Sequence, residues 1–225
     1  MTRKVFVFEI LLIAAALAAT VLLYPHLPER VPTHWGIDSH PNGYSPKGAL
    51  FLFGPGFMAA VMLMTWALPW LSPKRFEIDS FRQTYHLVML LLFGMMAYIY
   101  AVMLWGDCGR AIDMSRAISC GGFLFFVLVG NVMGKVRRNF YLGVRTPWTL
   151  ASERVWNGTH RFAAKTFVAG GLVGLALSAA GLVLWAILAL LIGALAPVVY
   201  SLVYYKQLEG RGELEDGVPG REARS

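Results

Sequence analysis

The sequence predicts an all-α, polytopic integral membrane protein with six transmembrane helices and both termini in the cytoplasm. Three observations predict it. Hydrophobic residues fill 57% of the 225 positions and charged residues only 15%, where a soluble domain carries about 25% charged residues. The mean hydropathy is +0.56. The apolar residues fall in long runs, and Lys and Arg concentrate in alternate intervals between those runs.

Thr2-Arg3-Lys4 opens the chain with charge, and Val5 to Tyr24 is an apolar run. About 20 such residues cross ~30 Å of hydrocarbon as a helix. A secretory signal core is shorter, about 7–15 residues, so the run reads as a retained anchor. Glu9 lies near its cytoplasmic end, where it reaches the interface or a neighbouring helix. Pro25 to Ala49 follows as a polar loop whose five prolines break any helix. Pro41-Asn42-Gly43 signals a turn, because Asn and Gly tolerate positive φ. Trp35 and Tyr44 suit the membrane interface.

Leu50 to Leu71 is the second span, interrupted early by Gly54-Pro55-Gly56 and late by Pro69. Residues 72–84 form a short charged loop. Tyr85 to Trp105 is the third span, Gly106 to Arg116 a polar loop, and Ala117 to Gly134 the fourth span. Phe162 to Tyr205 is too long for one crossing and enough for two. Gly181 marks the turn, giving spans near 162–180 and 183–205. Gly170, Gly171 and Gly174 make one face of the fifth span small, which lets helix backbones approach closely in lipid. The tail, residues 206–225, is polar and predicted to be disordered. The chain divides into a two-span module (1–71), a third span with connectors (72–114), a region holding the last three spans (115–205) and the tail.

Sixteen of the twenty Lys and Arg residues fall in the N-terminus, the 72–84 loop, the 135–165 interval and the tail; loops 25–49 and 106–116 hold four. Cytoplasmic loops carry the positive excess, so both termini are expected inside. Topology accounts for the net charge of +7, and no direct contact with nucleic acid is expected.

Chemistry-bearing residues are few. His26, His34, Asp38 and His40 cluster in the outer loop. Imidazole and carboxylate suit zinc, but the spacing matches no metal motif, so neither a metal nor another cofactor is expected. His34, Asp38 and His40 are the remaining candidates. Cys108 and Cys120 flank the second outer loop, and both a disulfide and two free thiols are open. Few ionisable groups occupy the spans, which argues against a proton or ion relay. The glycine-rich breaks in the second and fifth spans keep a small-molecule transporter as an alternative. A metal-dependent membrane enzyme using the outer histidines is the remoter one.

The longest polar interval, cytoplasmic loop 135–161, is the candidate working surface. Lys135, Arg137 and Arg138 follow the fourth span as ordinary positive-inside residues. Thr146-Pro147 reads as a helix start, with Thr146 as N-cap and Pro147 in the first turn. From Trp148 the pattern suggests an amphipathic helix on the inner membrane surface, with Trp148 and Trp156 anchored among headgroups. Arg145 precedes the helix start; it either meets an anion there or pins the loop to backbone carbonyls.

Gly130-Asn131, Asn139 and the run Leu142-Gly143-Val144-Arg145-Thr146-Pro147-Trp148-Thr149-Leu150, followed by Ser152, Trp156 and Thr159-His160-Arg161, resemble the signature of the SdpI family of bacterial immunity proteins. The outer stretch with Pro32, His34, Trp35, Gly43 and Tyr44 resembles an N-terminal membrane module of unknown function often joined to that family. The two resemblances span roughly residues 115–205 and 10–70. The first implies a non-enzymatic protein of the bacterial plasma membrane that protects its cell from a secreted peptide toxin. It also implies a signalling role, in which a cytoplasmic transcriptional repressor is held at the membrane. The motif residues that would serve partner binding are Asn131, Asn139, Gly143 and Arg145 through Leu150, with Ser152, Trp156 and His160.

Overall fold

The structure, a computed structural model, describes residues 3–71 and 78–214. Its elements are α1 (Arg3–Leu23), β1 (Arg30–Trp35), β2 (Pro41–Pro46), α2 (Phe57–Leu71), α3 (Arg82–Asp107), α4 (Met114–Met133), the short α5 (Pro147–Ala151), α6 (Glu153–Ala179) and α7 (Val183–Gly210). Among the described residues six helices are long and apolar enough to cross a membrane, as the apolar runs predict. Their outward faces carry exposed Leu11, Leu22, Leu63, Ile192 and Val199. Such side chains suit hydrocarbon, and the helices satisfy their own backbones there. The turn expected at Gly181 is present, with φ +81 between α6 and α7.

The all-α expectation is corrected at residues 30–46, which form an antiparallel hairpin. A two-stranded sheet is all edge, and edge strands tolerate proline, so Pro32, Pro41 and Pro46 fit. The turn lies at Gly36–His40 rather than at Pro41–Gly43: the Gly36 N–H donates to the His40 carbonyl at 2.9 Å, and Ser39 takes φ 62. Pro32 pairs with Tyr44 and His34 with Gly43. A Cβ on Gly43 would stand 2.9 Å from the His34 Cβ, so glycine lets the strands close.

The hairpin docks on the start of α4. Ser39 Oγ donates to Asp113, which also caps α4 by accepting from the Arg116 N–H at 2.9 Å. Ser115 Oγ donates to the Gly36 carbonyl at 2.6 Å. The Ser39 hydroxyl, then the Arg116 N–H, hold the Asp113 carboxyl below its ordinary value of 3.8. A carboxyl depressed by folding contributes stability above its unfolded pKa, and that stability is lost as pH falls through the folded pKa. Protection of the residue 30–46 amides, relative to the intrinsic exchange rate at each pH, is therefore expected to be high at neutral pH and to fall only below about pH 4. Asp113→Ala should lower it at neutral pH and remove that acid step.

The break at Gly54-Pro55-Gly56 is a π turn, Leu52–Gly56. A Cβ on Gly54 would fall 2.2 Å from the Tyr100 ring, so the break makes room for that ring. Tyr100 donates to the Leu50 carbonyl at 3.2 Å and bonds Thr20 of α1. The break is thus accompanied by polar groups. No break occurs at Pro69, and α2 runs on to Leu71. Proline cannot bond the carbonyl four residues back, and that carbonyl, of Thr65, accepts the Tyr85 hydroxyl at 2.7 Å instead. The tail also departs from expectation, since α7 continues through Lys206 to Gly210. Residues 72–77 of the charged loop and 215–225 of the tail lie outside the described residues.

Two buried clusters stabilise the bundle. One, with Phe93, Tyr100 and Leu104, lies beside the hairpin and includes its Val31. The other, with Tyr85, Val132, Val144 and Trp156, lies at the opposite end. Helix α6 packs between α4 and α7 through its small face. A Cβ on Gly171 would meet Val127 Cγ2 at 2.7 Å and the Phe123 carbonyl oxygen at 3.1 Å. Gly171→Leu is expected to destabilise the protein by about 3 kcal/mol in a detergent melt, as overpacking of a tight contact does.

Candidate functional site

The candidate site is the segment from Gly134 to Ser152 and the first two turns of α6 beneath it. Asn139 shapes the chain first. Fully buried, its side-chain oxygen accepts from the Tyr141 and Leu142 N–H groups, each at 2.7 Å. Its amide donates to the Arg137 and Leu142 carbonyls at 2.8 and 3.0 Å. One side chain thereby satisfies four backbone groups that an irregular loop leaves without a ladder.

Gly143 then takes φ +111, and a Cβ there would lie 2.1 Å from His160 Nε2. Glycine brings the next residue against the ring: the Val144 N–H donates to His160 Nε2 at 3.0 Å. That nitrogen is the acceptor, so the ring proton sits on Nδ1 and is donated to the Trp156 carbonyl at 2.8 Å. The rings of Trp156 and His160 stack with centroids 4.0 Å apart, and the Trp156 indole N–H donates to the Val136 carbonyl at 2.8 Å.

Thr146 caps α5, which Pro147 enters in its first turn. The Thr149 hydroxyl donates to the Val144 carbonyl at 2.9 Å. Thr146 Oγ1 lies 3.1 Å from Ser201 Oγ, tying the loop to α7. Ser152, extended at φ −132, turns the chain and caps α6. The structure therefore gathers Asn139, Gly143, Thr146, Thr149, Ser152, Trp156 and His160 into one closed network. Pro147, Trp148 and Leu150 line its outer side, and Leu150 packs on the Trp156 cluster.

Several expectations are corrected here. Residues 147–161 are not one surface helix. The five-residue α5 ends at Ser152, and α6 continues directly into the fifth span. Trp156 is fully buried rather than anchored among headgroups, because its indole N–H and ring face both have partners inside. The exposed Arg145 donates to the Phe140 carbonyl, the loop-pinning alternative. Asn131 stands apart, exposed on α4. In the 25–49 loop His34 bonds Asn42, and His40 lies 3.3 Å from Asp38. Among the described residues no three His, Cys, Asp or Glu side chains converge, so His34, Asp38 and His40 form no metal cage. Cys108 and Cys120 are both free.

Sequence reasoning missed Ser201 and the environment of Glu9. Ser201 carried only the weak signal of a hydroxyl within an apolar helix. Glu9 is fully buried, its carboxyl oxygens without a hydrogen bond among the described residues. The Trp66 indole faces it outside good hydrogen-bond geometry.

With the geometry in place, comparison with known proteins identifies the motif. Residues 135–201 match the SdpI/YfhL protein family. The similarity to that family lies in this region. The match starts where α4 has ended and covers the whole closed network, including Ser201. Residues 11–69 match a domain of unknown function, DUF1648, which takes in most of α1, the hairpin and α2. The chain is also 26% identical over 207 residues to Immunity protein SdpI of Bacillus subtilis (strain 168), covering 91% of this chain and 97% of that protein. No solved structure matches the chain. In this region both His160 nitrogens are engaged with backbone, leaving neither free for proton transfer or metal binding. The arrangement holds a shape, and Lys135, Arg137 and Arg145 remain exposed around it.

Proposed function

We propose that this multi-pass membrane protein confers immunity to a secreted, membrane-active peptide toxin. The observation that carries the reading is the similarity to Immunity protein SdpI along nearly the full length of both chains. The protein acts by binding rather than catalysis, in keeping with a motif whose histidine is spent on backbone contacts. Both termini and the closed loop face the cytoplasm, supported by the one-sided distribution of Lys and Arg. Residues 1–71 act as a module with an outer hairpin, and 115–205 as the immunity region. The exposed Arg145 and the half-buried Trp148 form a surface on which a cytoplasmic repressor docks.

The test is a toxin-sensitive bacterial strain expressing the chain, challenged with a broad panel of membrane-active peptide toxins. Raised survival against one toxin is expected, and no change against any member contradicts the reading. Repressor docking is tested by following a fluorescent repressor fusion, which should lose its membrane localisation with Arg145→Ala.

A further inference from the structure

Two cavities lie along one seam of the bundle. The first, of about 850 Å³, opens at the end that holds the closed loop. Cations from three separate segments line it: Arg82 at the start of α3, Lys135 and Arg137 after α4, and Arg161 on α6. The uncharged donors Gln83 and Asn157 join them, and among the described residues no acid lines it. Among the described residues, Lys135, Arg137 and Arg161 form no ion pair. Converging cations with neutral donors suit a phosphate group.

The second cavity, of about 370 Å³, is an apolar groove between α3 and α4, bordered by Leu90, Gly94 and Tyr98 on one side and Gly121, Leu124 and Leu128 on the other. The two cavities share a face of each helix. On α3, Gln83, Leu87, Leu90 and Gly94 recur at helical spacing, with Leu87 exposed. On α4, Leu124, Leu128, Asn131 and Gly134 do the same. Gly134 follows Leu128 by six positions, a rise of roughly 9 Å. Asn131, which the closed network leaves out, stands between the cavities, exposed and without a hydrogen bond among the described residues.

We propose that the α3–α4 seam binds one anionic phospholipid. Its phosphate rests among Lys135, Arg137 and Arg161, Asn131 meets the polar backbone of the lipid, and one acyl chain lies in the groove over Gly94. A polar cavity at the end of the spans, continuous in register with an apolar groove inside them, matches the headgroup and tail of a lipid in both length and chemistry. This is independent of the toxin-immunity reading.

The test is native mass spectrometry and thermal shift on the full-length purified protein. Four probes are compared: phosphatidylglycerol, phosphatidylcholine, the soluble glycerophosphoglycerol headgroup and inorganic phosphate. One phosphatidylglycerol retained per chain, with a raised melting temperature, is expected. Phosphatidylcholine, the soluble headgroup and inorganic phosphate should each bind more weakly. Replacing Lys135, Arg137 and Arg161 together with Gln should weaken phosphatidylglycerol binding by about tenfold or more, each lost surface cation removing part of the attraction. A Cβ on Gly94 meets nothing within 4 Å, so Gly94→Phe fills the groove without disturbing the fold and should weaken the lipid but not inorganic phosphate. Equal retention of phosphatidylcholine and phosphatidylglycerol by wild type overturns the proposal, whatever the variants do. Equal binding of inorganic phosphate overturns the lipid assignment, and undiminished lipid binding by the triple variant overturns the headgroup site.

Discussion

Gly143→Ala is expected to destabilise the protein by about 3 kcal/mol, because a disfavoured backbone region adds to a steric collision. Residue 143 has φ +111, and the new methyl would meet His160 Nε2 at 2.1 Å. Relief requires either the ring or the loop to move. Moving the ring breaks its bonds to the Val144 N–H and the Trp156 carbonyl; moving the loop carries Val144 out of its cluster. The change should appear as a lowered melting temperature in detergent and faster exchange of the 139–149 amides. A melting temperature equal to wild type would mean that the loop adapts freely and that the closed network is not tightly held.

Trp156→Ala is expected to cost about 3–5 kcal/mol, the usual range for truncating a buried aromatic. The side chain is fully buried and stacks on His160. Trp156→Phe separates packing from hydrogen bonding. It keeps most of the ring but leaves the Val136 carbonyl without its indole donor, at a cost of about 1–3 kcal/mol for the orphaned group. The order wild type, Phe, Ala in melting temperature is therefore expected. Equal melting of wild type and Trp156→Ala would place the indole at a lipid interface after all.

Gly143 and Trp156 also show what the sequence disclosed and what it hid. The spans were legible because hydrocarbon imposes one simple rule, a long apolar run with its backbone bonded internally. Thr146-Pro147 was legible because capping is local chemistry. Trp156 was not, since helical spacing reports which residues share a face and says nothing about what that face meets. Here it meets the chain's own loop, and the partners of Trp156 and His160 lie 16–20 residues back. The contact of Thr146 with Ser201 spans 55 residues and has no local signature. The hairpin was hidden for another reason: its prolines argue against a strand unless both strands are edges. Pro69 misled because the tertiary bond from Tyr85 to the Thr65 carbonyl replaces the one that proline forgoes. Glu9 stood close enough to the end of an apolar run to suggest the interface, yet the packing of α1 on α2 and α3 encloses it.

The 139–149 motif is a closed, internally bonded unit rather than an open loop. Amide hydrogen exchange of residues 139–149 in the wild-type protein, reconstituted in lipid bilayers, tests it most directly. The structure assigns protein acceptors to the N–H groups of Tyr141, Leu142, Val144, Thr146 and Thr149. The account predicts strong protection at these amides, approaching that of the α6 amides beneath them and lost in Gly143→Ala. Exchange of wild-type residues 139–149 at the rate of an unstructured peptide would contradict it and return the motif to an exposed binding loop.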